Sequence, residues 1–288
     1  MERQNIYPVR VNNLNDLSAY GITRIAAAIG VFDGIHLGHR KIISELLTMS
    51  ENLSAVPVVI TFFPHPRQVL FPERPLLFLR TPASKAEILG KLGVKAIITV
   101  PFTSEFASLS PDCFIENFMH PKDVKLAGIC VGSLWRFGAK GRGDSDFLNE
   151  YAHKFNFKFK AVTEKGWNDE KISSTEVRKA LASGDFDSAN YMLGEKYFVC
   201  GRITNRDCTT NIHSEILHIK IEFGVLPPRG LYSVYLNRRK TKEVSVRVMS
   251  QSNITLNIDK YCHVGSDIEI EFIRNKEMRV IVSGLLFG

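Results

Sequence analysis

Apolar and polar positions follow two different rhythms along this chain. Up to residue 194, short apolar runs alternate with stretches of helical spacing. "RIAAAIGVF" (24–32) is apolar throughout, which suits a strand buried on both faces. "GHRKIISELLTMSENL" (38–53) carries Ile42, Leu46 and Leu47 one helical turn apart, with Ile43 widening the face. "AVPVVITF" (55–62), "KAIITV" (95–100), "VKLAGICVG" (124–132) and "FKFKAV" (157–162) predict further strands. "ASKAEILGKLG" (83–93), "SPDCFIENFM" (110–119) and "SDFLNEYAHKF" (145–155) predict the helices between them. "SSTEVRKALAS" and "DFDSANYMLG" add two short helices separated by Gly184. Strands alternating with helices imply a parallel α/β sheet with right-handed crossovers. Ligands of such sheets sit at the carboxyl ends of the strands.

After residue 196 helical spacing almost disappears. "KYFVCGRI", "SEILHIKIEF", "GLYSVYLNRR", "KEVSVRVM", "NITLNI" and "DIEIEFI" are short and rich in branched and aromatic residues. They predict a small antiparallel barrel or sandwich. The expected domains are therefore 1–194 and 195–288.

Composition narrows the class. With 44% hydrophobic and 23% charged residues among 288, the chain can bury a core and is expected to be soluble. A net charge of +7 suits an anionic ligand, but no block of like charges marks a nucleic-acid tail. The five cysteines are scattered without a CxxC pair, as expected for reduced, structural thiols. No apolar leader and no run of membrane-spanning length is seen, so a cytoplasmic location follows, with no membrane, nucleic-acid or obligate protein partner.

Four stretches carry chemistry. In "GVFDGIHLGH" (30–39), Gly30, Gly34 and Gly38 permit tight turns at a helix start whose N–H groups favour phosphate. Either His36 and His39 donate hydrogen bonds to phosphate oxygens there, or His39 is simply a helix-start residue and His36 a surface loop residue. In "KISSTEVRKAL" (171–181), Ser173 and Glu176 have capping-box spacing. Ser174 and Thr175 then fall in the first turn with Arg178 one turn on, forming either an anion site or an ordinary capped helix. "TFFPHPRQVL" (61–70) offers Phe62 for stacking on a planar ring and His65 and Arg67 as polar neighbours; Phe63, pointing the other way, suits packing at the strand end. "VGSLWRFGAKGRGD" (131–144) is a basic, glycine-rich loop that covers a nucleotide or flavin, or is simply a long surface loop.

Taken in this order, these four stretches resemble the bacterial bifunctional riboflavin kinase/FAD synthetase family, and "PFTSEFASLSPDCFI" is similar to another of its segments. The resemblance implies a Rossmann-like nucleotidyltransferase domain followed by a β-barrel similar to riboflavin kinase. It implies transfer of AMP from ATP to FMN, giving FAD and pyrophosphate, with Mg2+ bridging phosphate oxygens. His36 and His39 would hold the ATP phosphates. Ser174, Thr175 and Arg178 would steady the leaving pyrophosphate. Phe62, His65, Pro66 and Arg67 would lie near the flavin or its phosphate, and Gly30, Phe32, Asp33 and Gly34 would shape the adenine-nucleotide cradle. No protein metal ligand is indicated.

The chain departs from that family in two places. Leu134 stands where the family usually has Asp or Asn. In the second domain, the family's Pro-Thr-Ala-Asn motif falls on "ILHI" (216–219), while "CTTNI" (208–212) comes too early. "LPPRGLYSV" (226–234) does match. The family's catalytic glutamate is replaced by Thr255 and the histidine after it by Asn257, and a threonine cannot act as a carboxylate base. Asp259 and Glu269 are carboxylates nearby in sequence, although Glu269 alternates with Ile268 and Ile270 as a solvent-facing strand residue does. The expectation is a monofunctional FAD synthetase with a degenerate kinase module. The alternatives are a bifunctional enzyme and a non-catalytic flavin-nucleotide-binding regulator.

Overall fold

The computed structural model describes residues 8–74, 76–118, 122–163, 172–208, 215–237, 239–258 and 263–275. The chain forms two compact units, Met1–Leu76 with Pro82–Lys171, and Leu77–Thr81 with Ile172–Gly288.

The first unit runs β1 (Val9–Val11), a 3-10 turn (Leu14–Tyr20), β2 (Arg24–Ile29), α1 (Leu37–Asn52), β3 (Val56–Phe63), α2 (Pro66–Leu70), α3 (Pro82–Lys91), β4 (Ala96–Pro101), α4 (Ser104–Ala107), α5 (Pro111–Phe118), β5 (Lys125–Gly132), α6 (Ser145–Phe155) and β6 (Lys158–Val162). Its six strands form one sheet in the order β1-β4-β3-β2-β5-β6. Every pairing is parallel. Both faces of the central strands are covered, which is why β2, β3, β4 and β5 read as nearly continuous apolar runs, while edge strand β6 stays largely exposed. Ile25, Ala27, Ile29, Val58, Ile60 and Ile98 pack on one face with Leu14, Leu17, Phe114 and Leu148. Ala26, Ala28, Val59 and Ile97 pack on the other with Ile42, Ile43 and Leu46 of α1 and Leu89 of α3. Each of the larger side chains, Val, Ile, Leu and Phe, contributes roughly 1.5–3 kcal/mol on burial. Helix α1 lies so close to β5 that a Cβ at Gly128 would come within 2.5 Å of the Met49 sulfur. The thiol of Cys130, in the same layer, is pushed up to about 12 by burial, as suits a structural cysteine.

The chain leaves β2 toward β3 on one side and reaches β5 on the other. That reversal opens a crevice at the carboxyl ends of β2 and β5, where such sheets bind ligands.

The second unit comprises α7 (Ser174–Ser183), α8 (Phe186–Leu193) and six strands: β7 (Phe198–Cys208), β8 (Glu215–Phe223), β9 (Gly230–Leu236), β10 (Arg239–Val248), β11 (Asn253–Ile258) and β12 (Asp267–Asn275). The strands close into a barrel, β10-β11-β8-β7-β12-β9. All its pairings are antiparallel. Val177, Leu181, Phe186 and Leu193 of the two helices share its core with Leu217, Ile219, Tyr232 and Phe272, and Leu79 joins them. Strand texture starts after residue 196, whereas the packing division falls at Ile172, because the apolar faces of α7 and α8 are spent on the barrel. Residues 209–212 of "CTTNI" and Asp259 lie outside the described residues.

Candidate functional site

The turn between β2 and α1 departs most from ordinary backbone. Gly34 has φ +84°, which glycine tolerates. Phe32 (φ +51°) and the β-branched Ile35 (φ +48°) share the left-handed region without that excuse. Such residues cost about 1–3 kcal/mol each and persist only where their surroundings over-determine them. Here the surroundings are core: both side chains are fully buried against α1 and the sheet.

The strain delivers two imidazoles to one place. His36 is the N-cap of α1, and its Nδ1 accepts the His39 N–H at 3.3 Å. An accepting Nδ1 puts the proton of neutral His36 on Nε2. The His36 and His39 rings stack, centroids 3.7 Å apart and 17° from parallel, and Phe32 lies 5.2 Å from His39. His39 Nδ1 is buried with no hydrogen-bond partner among the described residues. Burial, and then the fields of His36 and Lys85, hold the His39 imidazole well below the ordinary histidine range. It is therefore neutral at pH 7. The first turn of α1 contains no acidic residue, so its positive end is left open to an anion. Asp33, 4% exposed, completes the turn, and a Cβ at Gly30 would press on the Phe32 ring.

Lys85 is the member of this cluster that sequence reasoning missed. Reaching in from α3, its ammonium donates to the Val31 carbonyl at 2.8 Å and lies 3.5 Å from the Thr61 hydroxyl. Thr61, on β3, donates to the same carbonyl at 2.9 Å. Burial pulls the ammonium down to about 8, and the Asp33 carboxylate opposes the fall. No local signal marks it, since a lysine in an amphipathic helix ordinarily faces water.

After β3, the pleat reverses the expected roles of two aromatics. Phe62 is 7% exposed and meets Phe102 and Phe106 at 5.9 Å, because α4 covers its face. Phe63, read as the packing residue, is 50% exposed instead. His65 caps α2, its Nδ1 accepting the Arg67 N–H at 3.1 Å, with Pro66 in the first turn. Arg67 is exposed.

The basic loop after β5 folds on itself. Phe137 and Gly143 bridge, Trp135 stacks on Phe137 at 4.8 Å, and Arg136 pairs with Asp144 at 2.6 Å. The Asp144 carboxyl stays below the usual range because it caps Phe147 N–H and then because it faces Arg136. Leu134 is left 72% exposed at the tip.

Ser174, Thr175 and Arg178 belong to the second unit, not to the unit that holds His36 and His39. Ser173 caps α7 by accepting the Glu176 N–H at 3.3 Å, as the capping-box spacing predicts. Arg178 is not simply a solvated guanidinium. Its Nε donates to the Leu77 carbonyl at 2.8 Å and its Nη1 to the Ser174 carbonyl at 3.1 Å.

In the barrel, the stretch expected to hold the kinase motif is an ordinary strand. Leu217 and Ile219 are buried in the core, and Thr255 stands opposite His218 on the outer face. His218 pairs with Asp207 at 2.7 Å, both partly exposed. Glu269 lies between buried Ile268 and Ile270.

A family model described as FAD synthetase matches residues 22–176, which contain the turn, the "TFFPHP" segment, the basic loop and the start of α7. The chain belongs to the FAD synthetase family. It is 33% identical over 210 residues to a bifunctional riboflavin kinase/FMN adenylyltransferase of Listeria monocytogenes, covering 72% of this chain and 66% of that protein. It is 29% identical over 224 residues to a Listeria monocytogenes FAD synthetase, covering 76% of this chain and 86% of that one. The matches span less than two thirds of the length of the bifunctional relatives from Listeria and Bacillus subtilis. A solved structure titled as a macrolide-efflux protein from Streptococcus pneumoniae superposes with a TM-score of 0.77 at 21% identity, covering 96% of both chains; that likeness concerns the fold. Among the described residues, no helix of this FAD synthetase family member is long and apolar enough to cross a membrane.

Proposed function

We propose that this FAD synthetase family member transfers AMP from ATP to FMN and that its barrel lacks riboflavin kinase activity. The observation that carries the reading is the stacked His36–His39 pair, held by a strained turn at the positive end of α1, at the sheet's switch point.

A phosphate oxygen of FMN attacks the α-phosphorus of ATP. The new O–P bond forms as the bond to the β-phosphate bridging oxygen breaks, and pyrophosphate leaves with the electron pair. The second ionisation of a phosphate monoester lies near pH 6, so about nine in ten FMN phosphates are dianions at pH 7 and need no protein base. What the protein supplies is donors and position. His36 Nε2–H and the neutral His39 ring stabilise charge on the phosphate oxygens, and the α1 N-terminus adds its dipole.

Gly30, Phe32, Asp33 and Gly34 form the nucleotide cradle. His65, Pro66 and Arg67 serve the flavin side, while Phe62, first expected there, packs against Phe102 and Phe106. On the family resemblance, the Ser174 and Thr175 hydroxyls and the Arg178 guanidinium are assigned to the pyrophosphate portion. Mg2+ prefers oxygen ligands and usually arrives with phosphates. Among the described residues no group of three His, Cys, Asp or Glu side chains gathers at one place. When bound, Mg2+ would neutralise phosphate charge.

The transferase is assigned to residues 1–194 and the barrel to 195–288. Kinase chemistry differs in its nucleophile: an alcohol needs its proton taken or oriented. Thr255 cannot do that, and "ILHI" offers an apolar strand where the polar motif belongs. The name of the Listeria FAD synthetase relative supports a single activity, whereas the bifunctional relatives favour the alternative of two.

Incubation of the purified chain with FMN and ATP labelled at the α-phosphate tests the transferase. Label in FAD with equimolar pyrophosphate is expected; nucleotide binding without labelled FAD would select the regulator.

A further inference from the structure

We propose that Lys85 is a positioning residue for the β2–α1 turn: its ammonium, reaching in from α3, pins the Val31 carbonyl and so holds the strained backbone that presents His36 and His39. The inference rests on the adenylyltransferase reading of that turn. Val31 is the second residue beyond β2, and its carbonyl receives two donors from two different elements, Lys85 of α3 and Thr61 of β3. Immediately after it come Phe32 and, three residues later, Ile35, both in the left-handed region. A backbone of that kind needs outside restraint, and the doubly held carbonyl supplies it.

A neutral donor would make the same hydrogen bond at lower desolvation cost, so the charge calls for its own explanation. By contrast, Lys91 on the same helix pairs with Glu87 in the ordinary i,i+4 manner at the surface. The titratable groups around Lys85 are Asp33 in the turn and His39, with His36, at the start of α1; β3 contributes the neutral Thr61. The ammonium sits between a carboxylate that favours it and an imidazole that it discourages from taking a proton. Burial does most to keep His39 neutral and His36 comes next; Lys85 adds the smallest share, and its main role is to hold the turn.

The test uses the full chain with Lys85→Met, Lys85→Gln and Lys85→Arg, and Lys91→Met as a surface control. Two readouts are taken: kcat and KM for FAD formation across pH, and the titration of the histidine rings by NMR. Lys85→Met is expected to lower kcat by about 10²-fold, the scale of a small misplacement of reacting groups, with FMN affinity unchanged. Its His39 midpoint should move up. Lys85→Gln, which keeps a donor without charge, should move the midpoint likewise, and Lys85→Arg should restore both readouts in large part. Lys91→Met should change neither. If the wild-type chain makes no FAD, the transferase reading fails, and the NMR readout still decides the role of Lys85. A wild-type kcat in Lys85→Met, or His36 and His39 ring resonances in that variant that keep their wild-type positions, would overturn the proposal. Should Lys85→Met not fold, Lys85→Gln and Lys85→Arg carry the same comparison.

Discussion

The β2–α1 turn and the β8–β11 face of the barrel both carry a histidine beside a hydroxyl or carboxylate, and they differ in every physical respect that matters for chemistry. At the turn, the backbone is strained, the rings are packed against core, and an imidazole nitrogen is buried without a partner among the described residues. On the barrel, His218 sits on a regular strand, half exposed and paired with Asp207, opposite Thr255. A regular strand costs nothing to hold, and it offers nothing that water does not already satisfy. Strain and unsatisfied donors survive folding only where the surroundings enforce them, and on that ground the transferase site is proposed at this turn.

The largest expected effect breaks that contrast at its centre. His39→Ala should slow FAD formation by about 10²–10³-fold, the ~2.7–4 kcal/mol typical of one lost transition-state donor. FMN affinity should change little, because the donor acts on charge redistributing in the transition state. Steady-state rates beside an FMN titration check this, and a variant with unchanged turnover would remove the histidine from the chemistry.

Next comes the helix start at Ser173. Arg178→Ala should raise the ATP requirement about 10- to 150-fold, through loss of a charged hydrogen bond worth ~1.5–3 kcal/mol. Arg178→Lys should recover only part, since a point charge does not replace a fork. The alanine variant also frees the Leu77 and Ser174 carbonyls, so its melting temperature should fall as well. ATP dependence untouched in both variants would make α7 only a capped helix.

A smaller effect lies in the pH dependence of stability. His39 has a folded-state pKa below its unfolded value of about 6.5, so as pH falls the unfolded chain takes the proton first. Stability is full above about 6.5 and is lost as pH falls from there toward the folded value, by at most ~1.4 kcal/mol per pH unit. His39→Gln should remove that slope. Urea midpoints between pH 7.5 and 5 measure it; equal slopes in both proteins would mean the ring is hydrated and protonated normally. The smallest effect belongs to the barrel: Thr255→Ala should leave FAD formation unchanged and stability within about 0.5 kcal/mol, as for ordinary surface sites. A clear loss of turnover in Thr255→Ala would draw the barrel face into the chemistry.

Much of this was legible from spacing. Apolar runs located β3 to β6 within a residue, and β2 except for three residues that belong to the turn after it; for β2 to β5 a parallel sheet buried on both faces leaves little polar alternation to confuse the reading. The three-residue β1 and the short helices α2 and α4 were missed, since neither runs long enough to show a period. The helices α7 and α8 continued the α/β rhythm in sequence while packing on the barrel, because periodicity reveals an apolar face without naming what covers it. The turn itself was visible through its glycines and histidines. Its strain at Phe32 and Ile35 was not, and neither was Lys85, whose partner carbonyl lies 54 residues away in sequence. Phe62 and Phe63 were distinguishable as opposite-facing, but which face α4 would cover is a tertiary fact.

The most direct test of the whole account is chromatographic product analysis with ATP and Mg2+, run in parallel on FMN and on riboflavin at high protein concentration. The account predicts FAD from FMN and no flavin nucleotide from riboflavin. FMN or FAD appearing from riboflavin would contradict the inactive barrel, and no FAD from FMN would contradict the transferase assigned to the β2–α1 turn.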